Sequence, residues 1–431
     1  MKTTEADTQK VRERILADES FNEVAERARA LLKTGLNAGA RYPEIWIRDL
    51  ATFINTAAEV APAERLREAL ICFFDFQQDD GGVIDGYSQR KESVDDYSFI
   101  SCAKHPELAG HKNTVATDQE ASLVLAVHSY VHNFEAFEFL DSEIDGFTVL
   151  QRLERAMDWV FLNRFDSGYE LIWTGTTIDW GDIQPEHPWG VEWDENSHPA
   201  IGIYANAFHC IALEKYISLL RHKKLESCKW EQRLEDLRKA IRKHLWQADR
   251  PGFVPHIYLG KGSPFPEDFD ESPIYFHGGT ATAMQAGVLS REEALACYQR
   301  MKENVAAAGA QTVGLTLWPL YNVPTMPNRH YYLPFEYQNG GDWPWWGARV
   351  AHGLLDCGCP AEAYEALQPM VQRVIDRDGF YEWHSPDGTP HGNNTFRGAA
   401  GIIEKAIGRL RAWADKPDKA LTTTTWMGNT E

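Results

Sequence analysis

Carboxylates and aromatic rings fall together at several places in the chain, and these are the places where chemistry is expected. "RYPEIWIRDL" (41–50) sets Trp46, Arg48 and Asp49 together as loop turns to helix, and "TIDWGDIQP" places Asp179 and Asp182 around Trp180. "FEYQNGGDWPWW" brings Tyr337, Gln338, Asn339 and Trp343 into one run. Glu382 stands between Tyr381 and Trp383, apolar neighbours that can shift its proton affinity. Flat aromatic faces on apolar C–H surfaces, with planar polar groups reaching hydroxyls, are the chemistry of a sugar pocket.

Each of these residues has a plainer alternative. Asp49 and Asp118 both stand where a helix opens, and an aspartate there satisfies free backbone N–H groups and suits the helix dipole. Asp179 and Asp182 can build a turn with Gly181, and Glu382 can be an exposed hairpin residue. His198, His277 and His384 open another possibility, histidine acid–base chemistry, although lone histidines are more often structural. No clustered acidic ligand pattern occurs. "DDGGVIDG" (79–86) has the flavour of a calcium loop without its terminal glutamate, and "CGC" (357–359) lacks the second half of a zinc site. No metal or cofactor is expected.

The residues that must position these groups are helical. Apolar spacing at i, i+3 and i+4 recurs through the chain while strand-like alternation is scarce. About twelve helices follow on that criterion, over approximately 20–34, 49–60, 63–77, 117–134, 147–163, 197–220, 228–246, 276–286, 290–305, 342–356, 360–377 and 396–413. Short connections such as "APAE", "RHKKLES" and "DCGCPAE" alternate with long ones, so an antiparallel ring of helix pairs would gather every long loop on one rim. The candidate residues and most of the 15 tryptophans lie in or beside those loops.

Composition bounds the function. Of 431 residues, 43% are hydrophobic and 25% charged, enough to bury a large core. Sixty-three acidic against 43 basic residues give a net charge of -20, which argues against nucleic acid or an anionic membrane as partner. No apolar run approaches the ~20 residues of a membrane span, and the odd set of seven cysteines in apolar helical stretches suits free thiols in a reducing compartment. A cytoplasmic protein is the expectation, with self-association into a homo-oligomer left open. Tails are expected at 1–19 and 416–431, flanking a single domain over 20–415.

A six-pair helical ring with these motifs in this order resembles the (α/α)6-barrel glycoside hydrolases, in particular the group of amylo-alpha-1,6-glucosidase, mannosyl-oligosaccharide glucosidase, trehalase and the neutral or alkaline invertases. The resemblance covers about residues 35–410. It rests on "IWIRDL", "NTVATDQEASLVLAVHSY", "TIDWGDIQP" with the following "HPAIGIYANAFHCIALEKY", "FEYQNGGDWPWWGARVAHGLL" and "GFYEWHSPDGTPHGNNTFRGAAGIIEKAI". Gln338 stands where that group usually has histidine, and "FRGAAG" replaces a "QAWS"-like run. The resemblance implies an all-α, six-hairpin toroid. It makes Asp118 the general acid and Glu382 the general base. Trp46, Arg48, Asp49, Asp179, Trp180, Asp182, His198, His277, Tyr337, Gln338, Asn339, Trp343 and Trp383 would shape the sugar pocket. The expected activity is exo-acting, inverting removal of an α-linked glucose or related sugar from a small glycoside or short oligosaccharide, sucrose among them. The alternatives are a sugar epimerase or isomerase on the same barrel, working through histidines, and a carbohydrate-binding protein without catalysis.

Overall fold

The computed structural model describes residues 5–92, 99–188 and 190–416. Its helices are α1 Glu5–Ala17, α2 Glu19–Leu32, α3 Ile47–Ala58, α4 Ala63–Asp75, α5 Gln119–Asn133, α6 Val149–Asn163, α7 Ile203–His222, α8 Cys228–His244, α9 His277–Gln285, α10 Arg291–Ala308, α11 Pro344–Asp356, α12 Pro360–Asp376 and α13 Arg397–Asp415. Each of the twelve helices expected from apolar spacing is present.

Six of them close a ring. α3 packs on α5, α5 on α7, α7 on α9, α9 on α11, α11 on α13, and α13 returns to α3. The even-numbered helices from α2 to α12 lie outside, each against one or both of its ring neighbours. This is the (α/α)6 arrangement. Burial explains the division: α7, α9 and α11 are buried around most of their circumference, whereas α8 hides only one stripe of Trp230, Leu234, Leu237, Ala240 and Ile241. A one-sided apolar stripe suits a helix that faces solvent on its other side. Local signals fix the outer ends. Capping boxes start α6 (Thr148 with Gln151) and α10 (Ser290 with Glu293), and Gly309 ends α10 in the left-handed conformation. Closure between α13 and α3 depends on Gly401, where an added Cβ would lie 2.3 Å from the Cβ of Phe53.

Two expectations need correction. The stretch 5–17, read as tail, is a helix that packs on α12 and α13 and buries Arg12 and Ile15. The C-terminal tail expected at 416–431 lies, from residue 417 on, outside the described residues. The all-α expectation holds for the ring but not for its rim, where the long loops carry short strands. A four-stranded antiparallel sheet joins Ile45–Trp46, Gly86–Gln89, His105–His111 and Phe99–Cys102 in that order. A second sheet joins Ile257–Tyr258, Pro199–Ile201 and Thr174–Gly175. Residues near 197–202, expected in α7, belong to this sheet. These strands satisfy backbone groups of long loops that would otherwise be buried unpaired.

Candidate active site

The ring helices begin at the rim, so their first turns and the loops before them meet over the barrel axis. Arg48 and Asp49 lie in the first turn of α3. The preceding strand pairs Trp46 with Gly86, and Ile47 N–H donates to the Asp85 carbonyl at 2.8 Å. That register delivers the Asp85 carboxylate to Arg48, and the two form an ion pair. The same guanidinium lies 3.3 Å from Asp182 and 3.7 Å from Asp118. Burial by itself would lower the proton affinity of Arg48, but Asp85, Asp118 and Asp182 together hold it well above its ordinary value.

Asp118 occupies the N-cap position of α5, yet its side chain caps nothing. Its Oδ2 accepts a hydrogen bond from the Tyr204 hydroxyl at 2.9 Å, at the start of α7. The capping alternative therefore fails for this residue. Burial raises the Asp118 carboxyl above the usual aspartate range, against the opposing pulls of Arg48 and Tyr204.

Glu382 is 3% exposed, so the exposed-hairpin alternative fails as well. Its oxygens accept from the Tyr42 hydroxyl at 2.9 Å and the Asn393 N–H at 3.1 Å. Gly392 permits this fit, with φ +71° and an imagined Cβ only 2.4 Å from Glu382 Oε2. Burial raises Glu382 too, with the Asn393 and Tyr42 donors pulling the other way. Asp182 is within Coulombic range of both Asp118 and Glu382 and also accepts from Gln338 Nε2 at 3.2 Å. Asp49 is buried with Oδ1 unpaired, and burial, reinforced by Glu382, Asp85 and Asp182 against Arg48, pushes its carboxyl up to about 7. It makes no cap.

Asp179 takes a different place from the one expected. Both of its oxygens accept the Gly279 N–H, each at 2.9 Å, so the carboxylate closes the N-terminus of α9. The carboxyl still borders a cleft that Asp118, Thr177, Tyr204 and His256 also line. Trp180 lies 4.9 Å from both Trp343 and Trp346 between ring centroids, and Tyr337 lies 5.0 Å from Trp343. Trp383 stacks on His391 at 4.2 Å and faces Tyr337 at 6.5 Å. Trp46 sits against Gly86 and the His111 ring.

Three residues expected in the pocket are used elsewhere. His198 bonds to the Gly262 carbonyl at 2.8 Å. His277 is sealed between the Val313 carbonyl and Asn304. The Asn339 amide clamps the backbone of Tyr321 in its own loop. His384 is buried against Arg373 and Met370. None of the three histidines weighed for acid–base chemistry bonds to the Arg48 group. Conversely, Asp85, Tyr42 and Tyr204 were not singled out, and they hold Arg48, Glu382 and Asp118 respectively. His256 was also missed. Its Nδ1 meets Glu271 at 2.8 Å and its Nε2 meets the Thr177 carbonyl at 2.9 Å, which stiffens the cleft wall. Among the described residues no group of three His, Cys, Asp or Glu side chains could hold a metal ion, and no helix is long and apolar enough to cross a membrane.

This ring, with buried carboxyls over its axis, has the fold of (α/α)6-barrel glycoside hydrolases of known structure. One such structure is the GH63 mannosylglycerate hydrolase of Thermus thermophilus, solved with Tris and D-glycerate and also with glucose. It is 16% identical at a TM-score of 0.61, over 88% of this chain and 99% of that one. Another is a rhamnosidase from Klebsiella oxytoca with rhamnose bound, 15% identical at 0.57, over 90% of this chain and 63% of that one. No protein-family model and no curated protein sequence matches the chain.

Proposed function

We propose that the protein is an exo-acting, inverting glycoside hydrolase that releases an α-linked glucose or a closely related sugar from a small glycoside. The observation that carries this is the pair Asp118 and Glu382. They are two buried carboxyls on separate elements, each oriented by a tyrosine, and both within range of Asp182 beside Arg48.

Asp118, whose burial raises its carboxyl above the usual aspartate range, gives its proton to the glycosidic oxygen as the anomeric C–O bond breaks. Glu382, whose ionised form is favoured by the Tyr42 and Asn393 donors, takes a proton from the water that attacks the opposite face. Inversion requires room for that water, roughly 6.5–9.5 Å between the carboxyls. Arg48, Asp49 and Asp182 meet the sugar hydroxyls, and Trp180, Tyr337, Trp343 and Trp383 supply apolar walls. The likeness to a mannosylglycerate hydrolase and a rhamnosidase supports glycoside cleavage in general more than it supports glucose. We place the enzyme in the cytoplasm, acting on a soluble substrate.

The test is a proton-NMR time course with sucrose, trehalose, maltose, isomaltose, kojibiose, glucosylglycerate and mannosylglycerate. Early appearance of the β-anomer from one of them supports hydrolysis with inversion and identifies the leaving group. Interconversion of free sugars without cleavage refutes the proposal and favours an isomerase.

A further inference from the structure

Lys112 and Asn113 hold none of the roles assigned above, yet both are buried and both reach the elements that carry the site. They follow the strand His105–His111, whose last carbonyl accepts the Asp85 N–H at 2.7 Å, and they come just before Asp118. The Lys112 ammonium donates to the Val83 carbonyl, on the stretch that carries Asp85. It also donates to Glu120 at 3.0 Å and Gln119 at 3.4 Å, in the first turn of the helix that Asp118 opens. Glu120 closes this loop of contacts by accepting the Val83 N–H at 3.0 Å.

Asn113 makes the third connection. Its Nδ2 donates to the Asp182 carbonyl at 2.7 Å, 69 positions away, while its Oδ1 accepts the Val115 and Ala116 N–H groups at 2.8 and 3.0 Å. The Asn113 carbonyl in turn accepts from Gln119 Nε2 at 3.1 Å. Asp85, Asp118 and Asp182 are the three carboxyl groups that share the Arg48 guanidinium. They come from three separate parts of the chain, and each part is fastened to Lys112 or Asn113. Asn113, Gln119 and Glu120 are fully enclosed, so these ties form where water does not compete for them.

A buried ion pair such as Lys112 with Glu120 adds little net stability once desolvation is counted, which leaves the geometry it fixes as its contribution. We propose that Lys112 and Asn113 are positioning residues for the carboxyl groups around Arg48: Lys112 sets Asp118 against Asp85, and Asn113 sets Asp182 against both. They act through those groups rather than on the sugar. The inference rests on the proposed hydrolase reading, in which Asp118 is the acid and Asp182 meets the sugar hydroxyls.

Asn113→Ala and Asn113→Asp test it. The first removes donor and acceptor together, the second keeps an acceptor for Val115 and Ala116, and the loss they share is the bond to Asp182. Crystal structures of both are expected to show the Arg48–Asp182 separation, 3.3 Å in the parent, opened beyond the ion-pair limit of about 4 Å. On the glycoside that the NMR panel identifies, kcat/KM is expected to fall about 100-fold with KM raised, the cost of a misplacement of about 1 Å. A residue that only shapes its own loop would lower the melting temperature, leave KM unchanged and be rescued in Asn113→Asp. An unchanged separation and KM in Asn113→Asp therefore overturn the proposal, and this variant carries the test if Asn113→Ala does not fold. For Lys112, the paired change Lys112→Met with Glu120→Gln keeps an acceptor for the Val83 N–H and is expected to widen the 3.7 Å between Arg48 and Asp118; no widening overturns that half of the assignment. The separations are measured without substrate, so a parent that cleaves no glycoside overturns the hydrolase reading while the structures still decide this one.

Discussion

Replacing Tyr204 by phenylalanine removes one hydroxyl and leaves the ring that packs beside Phe208 and Trp346. The hydroxyl donates to Asp118 at 2.9 Å, and both residues are buried. A hydrogen bond to a charged group is worth about 1.5–3 kcal/mol, and one pKa unit is worth about 1.36 kcal/mol. Loss of this donor therefore raises the Asp118 carboxyl by about one to two units, the lower figure applying if a water takes the hydroxyl's place. A general acid must be protonated to act, so the alkaline limb of kcat/KM against pH reports its titration. That limb is expected to move upward by about one to two pH units in Tyr204→Phe while the acid limb, set by Glu382, stays in place. The assay is initial rates from pH 4 to 10 on whichever glycoside the NMR panel identifies. An alkaline limb that does not move, or an acid limb that moves instead, refutes the assignment of Asp118 as acid.

Three further outcomes follow from the same geometry. Asp118→Asn and Glu382→Gln, both near-isosteric, are expected to lower kcat by several orders of magnitude with unchanged melting and circular dichroism; unfolding of either variant would point to a structural role. Asp49 titrates near 7 in the folded chain and near 3.9 when unfolded, so it stabilises fully below about pH 3.9 and loses that stability as pH rises toward 7. Asp49→Asn should flatten the fall by up to about 1.4 kcal/mol per pH unit and melt higher than the parent at pH 8; identical stability profiles would contradict the burial argument. Arg373 and Asp342 form a buried pair at 2.7 Å, so Arg373→Met should cost about 3–5 kcal/mol in urea denaturation, and a cost below 1 kcal/mol would mean that Asp342 is otherwise compensated.

Periodicity carried the ring because each of its helices turns a continuous apolar face toward its neighbours. α1 escaped because it buries chiefly Arg12 and Ile15, too little to leave a stripe in the sequence. The rim strands are two to seven residues long, mostly two, which is too short for alternation to register. At the site, Arg48, Asp49, Asp118 and Glu382 were visible as polar residues in the wrong company, next to tryptophans or at helix starts. Tyr204 was not, because a tyrosine inside "IGIYANAF" reads as core. Nor could Asp179 be foreseen as the cap of a helix that begins about a hundred residues later, since nothing local distinguishes that carboxylate from a ligand for hydroxyls. Asp85 reaches Arg48 only through strand register, information held in pairing rather than in composition.

The closing contact of the ring joins parts of the chain made far apart in time. Thr56 meets the Gly401 carbonyl across 345 positions, and Tyr42 meets Glu382 across 340. A nascent chain therefore emerges from the ribosome with the inner face of α3 uncovered on one side until α13 has been synthesised, and contacts of such separation are slow to form. Truncation before Arg397 would leave the carboxyl pair and the Tyr42 and Asn393 donors of Glu382 in the chain but remove α13, which closes the ring against α3. The ring therefore closes only once its last helix is made, so the rim that carries the carboxyls is completed at the end of synthesis.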